Sequence, residues 1–207
     1  MVIIISGFIL AYLLGSIPTA VIVGKLFFNI DVREHGSGNA GATNTFRILG
    51  FKAGFTVFLI DALKGFLATY LAVVFQLESL IHLPMILIQF LLTIAAVTGH
   101  IFPIFAGFRG GKGVATMLGS VFGILPIGAL LSLGVFIPVF IFSRFVSLAS
   151  ILGGISFPFW VYFVLGKHDP WTIGFSVFLS LILIFMHRKN IQRLIHGEEN
   201  KISFSRK

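Results

Sequence analysis

The stretch GHIFPIFAGFRGGKGVAT, residues 99–116, concentrates glycines and cations in a chain that is otherwise largely apolar. The glycines free the backbone to turn tightly and the cations bring positive charge to the turn: Arg109, Gly110, Gly111, Lys112 and Gly113. A helix is expected to begin near Val114, and its positive dipole end then points at this loop. Glycine, cation and helix end together favour phosphate binding.

This stretch is not a nucleotide P-loop. Ala106 occupies the position of the first required glycine, and Gly113 follows Lys112 where Ser or Thr would bind magnesium. An ordinary positively charged turn is the alternative interpretation. His100 by itself is weak evidence for chemistry, because a hydrogen-bonded interfacial histidine explains it as well.

A second polar stretch, DVREHGSGNAGATNTFRILG, spans residues 31–50. Its glycines permit a tightly turning backbone, and short donors and one planar cation accompany them: Ser37, Gly38, Asn39, Thr43, Asn44 and Arg47. Thr43 or Asn44 is predicted to cap a short helix that ends at Gly50. A connection of this length without evident regular structure is usually functional.

The third polar stretch, HRKNIQRLIHGEENK, spans residues 187–201. Apolar residues recur in it at helical spacing: Ile191, Leu194 and Ile195. The pattern predicts an interfacial helix that presses its apolar side to the membrane, turns His187 and Asn190 toward the other polar stretches, and ends at Gly197. A simple positively charged membrane anchor is the alternative.

Composition places these stretches in a membrane protein. Of the 207 residues, 57% are hydrophobic and 11% are charged, and the mean hydropathy is +1.04, far above the norm for soluble proteins. The net charge of +8 then serves orientation and contact with anionic lipids or substrates rather than nucleic acid. The absence of cysteine excludes disulfides, thiolate nucleophiles and cysteine metal sites.

Apolar runs long enough to cross the hydrocarbon follow one another along the chain: 2–24, 54–75, 84–102, 146–165 and the shorter 171–186. Residues 113–142 either cross once as a kinked helix or enter and return. If they return, thirteen Lys and Arg residues lie on one side of the membrane, only Lys167 lies on the other, and Lys64 lies within a span. The positive-inside rule favours the return.

The sequence therefore predicts an all-α integral membrane protein of about seven transmembrane helices, forming one domain over residues 1–207. Its N-terminus is expected outside and its C-terminus in the cytoplasm, with one short or re-entrant helix pair near 114–142. The three polar segments, 31–50, 99–116 and 187–201, then share the cytoplasmic face. Asp61 and Lys64, three residues apart within one span, are expected to form a structural ion pair facing the bundle interior.

Familiar catalytic motifs do not occur in the sequence. It contains no GxSxG elbow, no HExxH and no paired-carboxylate site, and no histidine is followed five residues later by the aspartate of an HxxxxD motif. Neither a metal site, a cofactor nor a Ser-His-Asp triad is expected. A carrier or channel for a phosphorylated anion remains an alternative, although its spans should carry more polar residues than these do. A third interpretation is a lipid-binding scaffold without catalytic activity.

Taken together, the segments resemble the bacterial acyl-phosphate:glycerol-3-phosphate acyltransferase family, known as PlsY. The similarity is carried by HGSGNAGATNTFRILG, GHIFPIFAGFRGGKGVAT and HRKNIQRLIHGEENK, and also by YLLGSIPTA and DALKG, and it covers essentially the whole chain. Arg109 stands where the family generally has lysine, which exchanges a point charge for a planar fork. Glu198 stands where the family often has a small polar residue, and Glu199 aligns with the family's glutamate.

The resemblance implies transfer of an acyl group from acyl phosphate to the 1-hydroxyl of glycerol 3-phosphate, giving lysophosphatidic acid at a bacterial inner membrane without cofactor or metal. It implies catalytic roles for Ser37, Arg47, His187 and Asn190. Substrate phosphates are expected at Gly38, Asn39, Thr43, Asn44, Arg109, Gly110, Gly111, Lys112, Gly113 and Thr116. Supporting roles are expected for His100, Arg188 and Glu199. Which segment binds which phosphate is left open.

Overall fold

A computed structural model describes residues 2–202. Within them all the regular structure is helical and no strand occurs, which confirms the predicted all-α class. The chain divides between Ile124 and Leu125 into two compact units. The single domain predicted from the sequence stays a prediction, and the two units are described separately.

The first unit contains seven α-helices and two single 3-10 turns, at Val32–Glu34 and Ile104–Ala106. The helices are α1 (Val2–Ser16), α2 (Thr19–Phe28), α3 (Ala42–Leu49), α4 (Phe51–Val74), α5 (Leu77–Ile81), α6 (Met85–Ile101) and α7 (Val114–Ile124). The first apolar run is interrupted between α1 and α2 at Ile17 and Pro18, where proline has no N–H to continue a helical ladder. The predicted helix start near Val114 is confirmed.

The second unit contains α8 (Pro126–Ser143), α9 (Val146–Phe159), α10 (Pro170–Met186) and α11 (Arg188–Ile195). The α9 helix continues through a π-helical turn over Trp160–Val164. Asp169 caps α10 by accepting a hydrogen bond from the Thr172 N–H at 2.9 Å, and Pro170 occupies the first helical position, which proline favours. The stretch 113–142 therefore contains two helices, α7 and α8, which are separated at Leu125.

Five helical stretches among residues 2–202 are long and apolar enough to cross a membrane: Val2–Phe28, Phe51–Val74, Met85–Ala106, Pro126–Ser143 and Val146–Val164. A sixth is possible if Pro170–Met186 and Arg188–Ile195, bent by 60°, are counted as one span. The α7 helix is apolar but has only 11 residues, about 16 Å at the usual helical rise. Seven crossings and their orientation stay predictions.

Small residues bring the helices of the first unit into close contact around α4, which packs against α1, α6 and α7. A Cβ atom at Gly65 would collide with the Thr116 carbonyl oxygen, and one at Gly119 would collide with the Ala62 carbonyl oxygen. Close packing of small residues is a main source of helix association in lipid. It fixes α7, and with it the end of the second polar segment, against the middle of α4.

Candidate functional site

The first polar segment is held by a carboxylate–guanidinium pair at its start. Asp31 accepts hydrogen bonds from the Arg33 backbone N–H at 3.0 Å and from its side chain at 2.9 and 2.7 Å. The Arg33 guanidinium, assisted by Lys25, holds the pKa of the Asp31 carboxyl well below its usual range. Arg33 also donates to the Ala106 carbonyl at 2.8 Å. This bond links the first polar segment to the second.

Asn44 organises the glycine-rich turn from within. Its Oδ1 accepts from the Ser37 N–H at 2.9 Å, and its Nδ2 donates to the carbonyls of Val32 at 2.8 Å and His35 at 3.1 Å. The side chain is almost fully buried. These bonds favour a loop-shaping role for Asn44 over the phosphate contact expected from the sequence.

The short helix α3 presents part of the predicted site. It begins at Ala42 after Gly41, which makes no side-chain capping bond, so the predicted cap at Thr43 or Asn44 is wrong. The side-chain amide of Asn44 is hydrogen-bonded to the glycine-rich turn and therefore does not cap the helix. The helix ends at Gly50 as predicted, with φ +85°. Thr43 and Arg47 are four residues apart and therefore share a helix face, and both are half-buried.

The remaining residues predicted in this segment lie on its surface side. Ser37 and Gly38 are exposed and Asn39 is half-buried. Gly38 has φ +70°, in the left-handed region that favours glycine. The turn therefore offers a hydroxyl and a flexible backbone to a ligand, on a loop whose shape Asn44 fixes.

In the second segment the two central glycines close the turn onto the end of α6. The Gly110 N–H donates to the Ile101 carbonyl at 3.2 Å, and the Gly111 N–H donates to the His100 carbonyl at 3.1 Å. A Cβ atom at Gly110 would meet the His100 carbonyl oxygen, and one at Gly111 would meet the His100 ring. These two amides are therefore engaged within the protein, which does not favour the phosphate contact predicted for them.

Two cations of this segment lie around the turn. Arg109 is exposed, Lys112 is half-buried, and Gly113 has φ +78° where α7 is about to begin. The first N–H groups of a helix lack intrahelical acceptors, so the start of α7 brings amides and its dipole beside Lys112. This arrangement suits an anion, which would bind to the N–H groups at the start of α7 instead of the amides of Gly110 and Gly111.

Thr116 and His100 lie beneath the turn. Thr116 is fully buried, and its Oγ1 lies 3.2 Å from His100 Nδ1 in a hydrogen bond. Burial favours a structural position for Thr116 over the predicted direct contact with phosphate. The predicted ion pair below them is confirmed, since Lys64 Nζ lies 2.8 Å from Asp61 Oδ1 and both side chains are buried.

The third segment lies in the second unit and is held by side chains. His187 is buried, and its Nδ1 donates to the Leu183 carbonyl at 2.9 Å. In a neutral imidazole this bond leaves Nε2 as the nitrogen that accepts a proton. Asn190, also buried, donates to Glu199 Oε1 at 2.9 Å. Both predicted residues therefore have fixed orientations.

Glu199 fastens the chain after α11 back onto that helix. Arg193 Nε donates to Glu199 Oε2 at 2.8 Å. Burial raises the pKa of the Glu199 carboxyl, but hydrogen bonds from Arg193 and Asn190 outweigh burial and lower it overall. Arg188 donates to the Phe185 carbonyl at 3.1 Å and lies over the Phe185 ring. The α11 helix ends at Ile195, with Gly197 at φ +73° close to the predicted end.

Sequence reasoning missed two parts of this arrangement. One is the Asp31–Arg33 pair and its bond to Ala106, although a carboxylate two residues before a guanidinium at the entrance to a glycine-rich loop was a usable signal. The other is the contact between the side chains of Asp61 and His100, which no local sequence pattern predicts. Among residues 2–202, no group of three or more His, Asp or Glu side chains is arranged to hold a metal ion.

Apolar helices joined by cation-bearing polar segments define the class, which is an integral membrane protein. A family model described as glycerol-3-phosphate acyltransferase matches residues 5–197. A glycerol-3-phosphate acyltransferase of Chlorobaculum tepidum is 43% identical over 96% of each chain. One of Streptococcus pneumoniae is 44% identical over 94% of this chain and 91% of its own.

Solved structures agree with these relatives. PlsY, an integral membrane glycerol 3-phosphate acyltransferase crystallised in its glycerol 3-phosphate form, is 38% identical with a TM-score of 0.85, covering 97% of this chain and 96% of its own. Its lysophosphatidic acid form gives a TM-score of 0.82 at 37% identity, covering 97% of this chain and 95% of its own. The chain belongs to the glycerol-3-phosphate acyltransferase family and is an integral membrane enzyme, which confirms the resemblance seen in its motifs.

Proposed function

We propose that this enzyme transfers a fatty acyl group from acyl phosphate to the 1-hydroxyl of sn-glycerol 3-phosphate, releasing lysophosphatidic acid and inorganic phosphate. The observation that carries the proposal is the similarity, over nearly the whole chain, to PlsY in glycerol 3-phosphate and lysophosphatidic acid forms. These two forms correspond to the acceptor before acylation and the product after it. The enzyme acts at the cytoplasmic side of a bacterial inner membrane, because thirteen of its 15 Lys and Arg residues then lie on that side.

The second polar segment supports a phosphate-bearing donor. Arg109 and Lys112 stand beside the start of α7, and an anion at a helix start gains from both the amides and the dipole. An acyl phosphate is a mixed anhydride with a good leaving group. Cations that stabilise the departing phosphate therefore serve both donor binding and the reaction.

In the first unit, Arg47 of α3 is assigned to a substrate phosphate. In the second unit, His187 and Asn190 of the third segment are assigned to glycerol 3-phosphate. Arg47 offers a planar fork that suits phosphate oxygens. Asn190 is oriented by Glu199, and His187 by the Leu183 carbonyl. Ser37, Asn39 and Thr43 supply short donors for the reacting carbonyl or for phosphate oxygens.

The chemistry proposed is direct transfer. The glycerol 1-hydroxyl oxygen attacks the acyl carbonyl carbon and forms the ester bond, and the bond from that carbon to the phosphate oxygen breaks with its electron pair leaving on phosphate. The hydroxyl proton passes to a substrate phosphate oxygen, whose second pKa lies near 6, or to His187 Nε2. Ser37 is assigned hydrogen bonding rather than nucleophilic attack, because its exposed turn carries no base-and-acid pair to activate it.

The test uses purified full-length enzyme in detergent with acyl phosphate and glycerol 3-phosphate. We expect lysophosphatidic acid by mass spectrometry, with no product when either substrate is omitted. Acyl-CoA supplied in place of acyl phosphate is expected to give none, and efficient use of acyl-CoA would overturn the donor assignment. An acyl adduct on Ser37 formed with acyl phosphate alone, and discharged by glycerol 3-phosphate, would overturn direct transfer.

The side of the membrane is tested independently by cysteine labelling. The native chain has no cysteine, so Ser37→Cys, Arg109→Cys and Lys189→Cys each introduce one unique thiol at an exposed position of its polar segment. In inside-out vesicles an impermeant maleimide is expected to label all three, and in intact spheroplasts none. Labelling of any of them from the outside contradicts the common cytoplasmic face.

A further inference from the structure

A buried polar network connects four helices, α2, α4, α6 and α7, beneath the second polar segment. Its members are Thr19, Asp61, Lys64, His100 and Thr116, each at most 6% exposed. Asp61 Oδ1 accepts from Thr19 Oγ1 at 3.0 Å and lies 2.8 Å from Lys64 Nζ and 3.7 Å from His100 Nδ1. Lys64 also donates to the Ile17 carbonyl, at the break between α1 and α2, at 3.0 Å.

His100 is the point where this network meets the turn. Its Nδ1 bonds to Thr116 Oγ1 on α7, and its carbonyl accepts from the Gly111 N–H on the turn. Its ring also lies where a Gly111 Cβ atom would be. His100 therefore contacts both the turn, through its carbonyl, and the start of α7, through its ring.

A small cavity brings the network and the polar segments together. Ala40 of the first segment and Gly110 of the second line it, together with Lys64, His100 and Thr19. The network therefore forms part of the cavity wall rather than lying among apolar side chains alone.

Stability alone does not account for this arrangement. Charged groups within a membrane protein are costly to bury, and apolar residues of similar volume often stabilise a fold as well as a buried ion pair does. Here Asp61 of the ion pair lies 3.7 Å from the His100 ring, and His100 is hydrogen-bonded to one particular loop and to the helix start beside it. The connection to the loop is what an apolar replacement would remove.

We propose that Asp61, Lys64, His100 and Thr116 are positioning residues that hold the Gly110–Gly111 turn and the start of α7 in the shape that binds the donor phosphate. The proposal rests on the proposed function, which assigns the donor phosphate to this segment. None of the four needs to touch the substrate, because they act through the backbone of the turn.

The first test is hydrogen–deuterium exchange of the full-length enzyme without any substrate. Thr116→Val keeps the shape of the side chain but removes the bond to His100, and Thr116→Ser restores a hydroxyl. We expect Thr116→Val to speed exchange of amides 108–113 by about tenfold, equivalent to about 1.4 kcal/mol and within the range of one hydrogen bond. Thr116→Ser is expected to exchange like wild type.

Ser120→Ala provides the matched control. Ser120 is one turn further along α7, is equally buried, and donates to the Gly65 carbonyl of α4 at 3.1 Å. The Ser120→Ala substitution therefore removes one hydrogen bond between α7 and α4 without changing a hydrogen bond of His100. Wild-type exchange at 108–113 is expected, and if Ser120→Ala loosens the turn as much as Thr116→Val does, the role of the network is only to pack α7.

The second test is kinetic. For Thr116→Val we expect the KM for acyl phosphate to rise by about tenfold, with kcat and the KM for glycerol 3-phosphate changed much less. A direct phosphate contact by Thr116 would also raise that KM, but it would not loosen the turn in the absence of substrate. The exchange and kinetic measurements together therefore separate positioning from binding.

The ion pair is tested by replacing both charges at once, because Asp61→Asn alone leaves Lys64 buried with its charge uncompensated. Asp61→Leu/Lys64→Met is expected to give the same faster exchange and raised KM while remaining monodisperse. If this variant does not fold, the comparison of Thr116→Val with Thr116→Ser still tests the positioning role. Wild-type exchange in Thr116→Val overturns the positioning role, whereas wild-type enzyme that makes no product from acyl phosphate overturns the donor assignment instead.

Discussion

The second and third polar segments are held in different ways. In the second segment the backbone of the turn lies directly on the end of α6, and glycines are required because a Cβ atom has no room. In the third segment the orientation comes from side chains, as Glu199 accepts from both Asn190 and Arg193. The difference teaches that a substitution which adds one methyl group should damage the second segment, whereas the third should respond mainly to loss of a hydrogen-bonding group.

The largest effect is expected from the cation on the second turn. Lys112→Ala should lower kcat/KM by about 2 to 5 kcal/mol, the range for removing one partner of a buried charge pair. Lys112→Arg should retain part of the activity, and Lys52→Ala, an exposed lysine at the start of α4, should retain all of it. Steady-state kinetics with both substrates varied measure the effect. Near-normal catalysis by Lys112→Ala would mean that the segment is only a turn.

The second largest effect is expected from adding a methyl group to the turn, where a Cβ atom has no room. Gly111→Ala places a Cβ atom against the His100 ring and 3.1 Å from the Ala40 carbonyl, and overpacking of this kind usually destabilises by about 1 to 3 kcal/mol. Kinetics and thermal unfolding should both respond. Gly134→Ala is the control, since a Cβ atom there has nothing within 4 Å. Equal tolerance of the two substitutions would remove the contrast between the segments.

A smaller effect is expected from Glu199→Gln in the third segment, because the amide keeps the shape but loses the charge. The native pKa of Glu199 is lowered, so its carboxylate stabilises the fold above the unfolded pKa, and that stabilisation is lost as the pH falls through the lower native value. The difference in Tm between wild type and Glu199→Gln should therefore be present at neutral pH and close on acidification below the ordinary carboxyl range. A difference that stays constant with pH would show that the charge has no such role.

The smallest effect is expected at the cap of α10, away from all three polar segments along the chain. Asp169→Ala removes the side-chain acceptor for the Thr172 N–H, and loss of such a cap usually costs about 1 kcal/mol. Tm should fall slightly while kcat and both KM values stay at wild-type level. A change in either KM value would indicate that the polar segments respond to general loosening of the fold rather than to their own contacts.

Local sequence patterns predicted two helix boundaries near the site but not the start of α3. The start at Val114 and the end at Gly50 are where the sequence placed them. The Asp61–Lys64 pair was also predictable, since both charges lie on one face of one apolar helix. These features depend on residues within a single turn or helix.

Features that join distant parts of the chain were not predictable in the same way. Residue types named Asn44 and Thr116 as polar candidates, but only the folded structure reveals that Asn44 bonds to Val32 and His35 and that Thr116 bonds to His100. The same glycine pattern suits an amide that binds a ligand and an amide that closes a turn. Long-range packing decides between the two, and one sequence does not encode it locally.

The contact between Gly65 and Thr116 has a consequence for the lipid substrate. Gly65 lies past the midpoint of α4, and α4 exposes apolar side chains on either side of that level, among them Phe55, Leu59 and Val73. A donor whose carbonyl reaches the start of α7 can therefore keep its alkyl tail in hydrocarbon throughout the reaction. Withdrawal of a long tail into water costs about 0.8 kcal/mol for each methylene. If the donor phosphate binds at the start of α7 as proposed, the acyl transfer needs no extraction of the lipid into water.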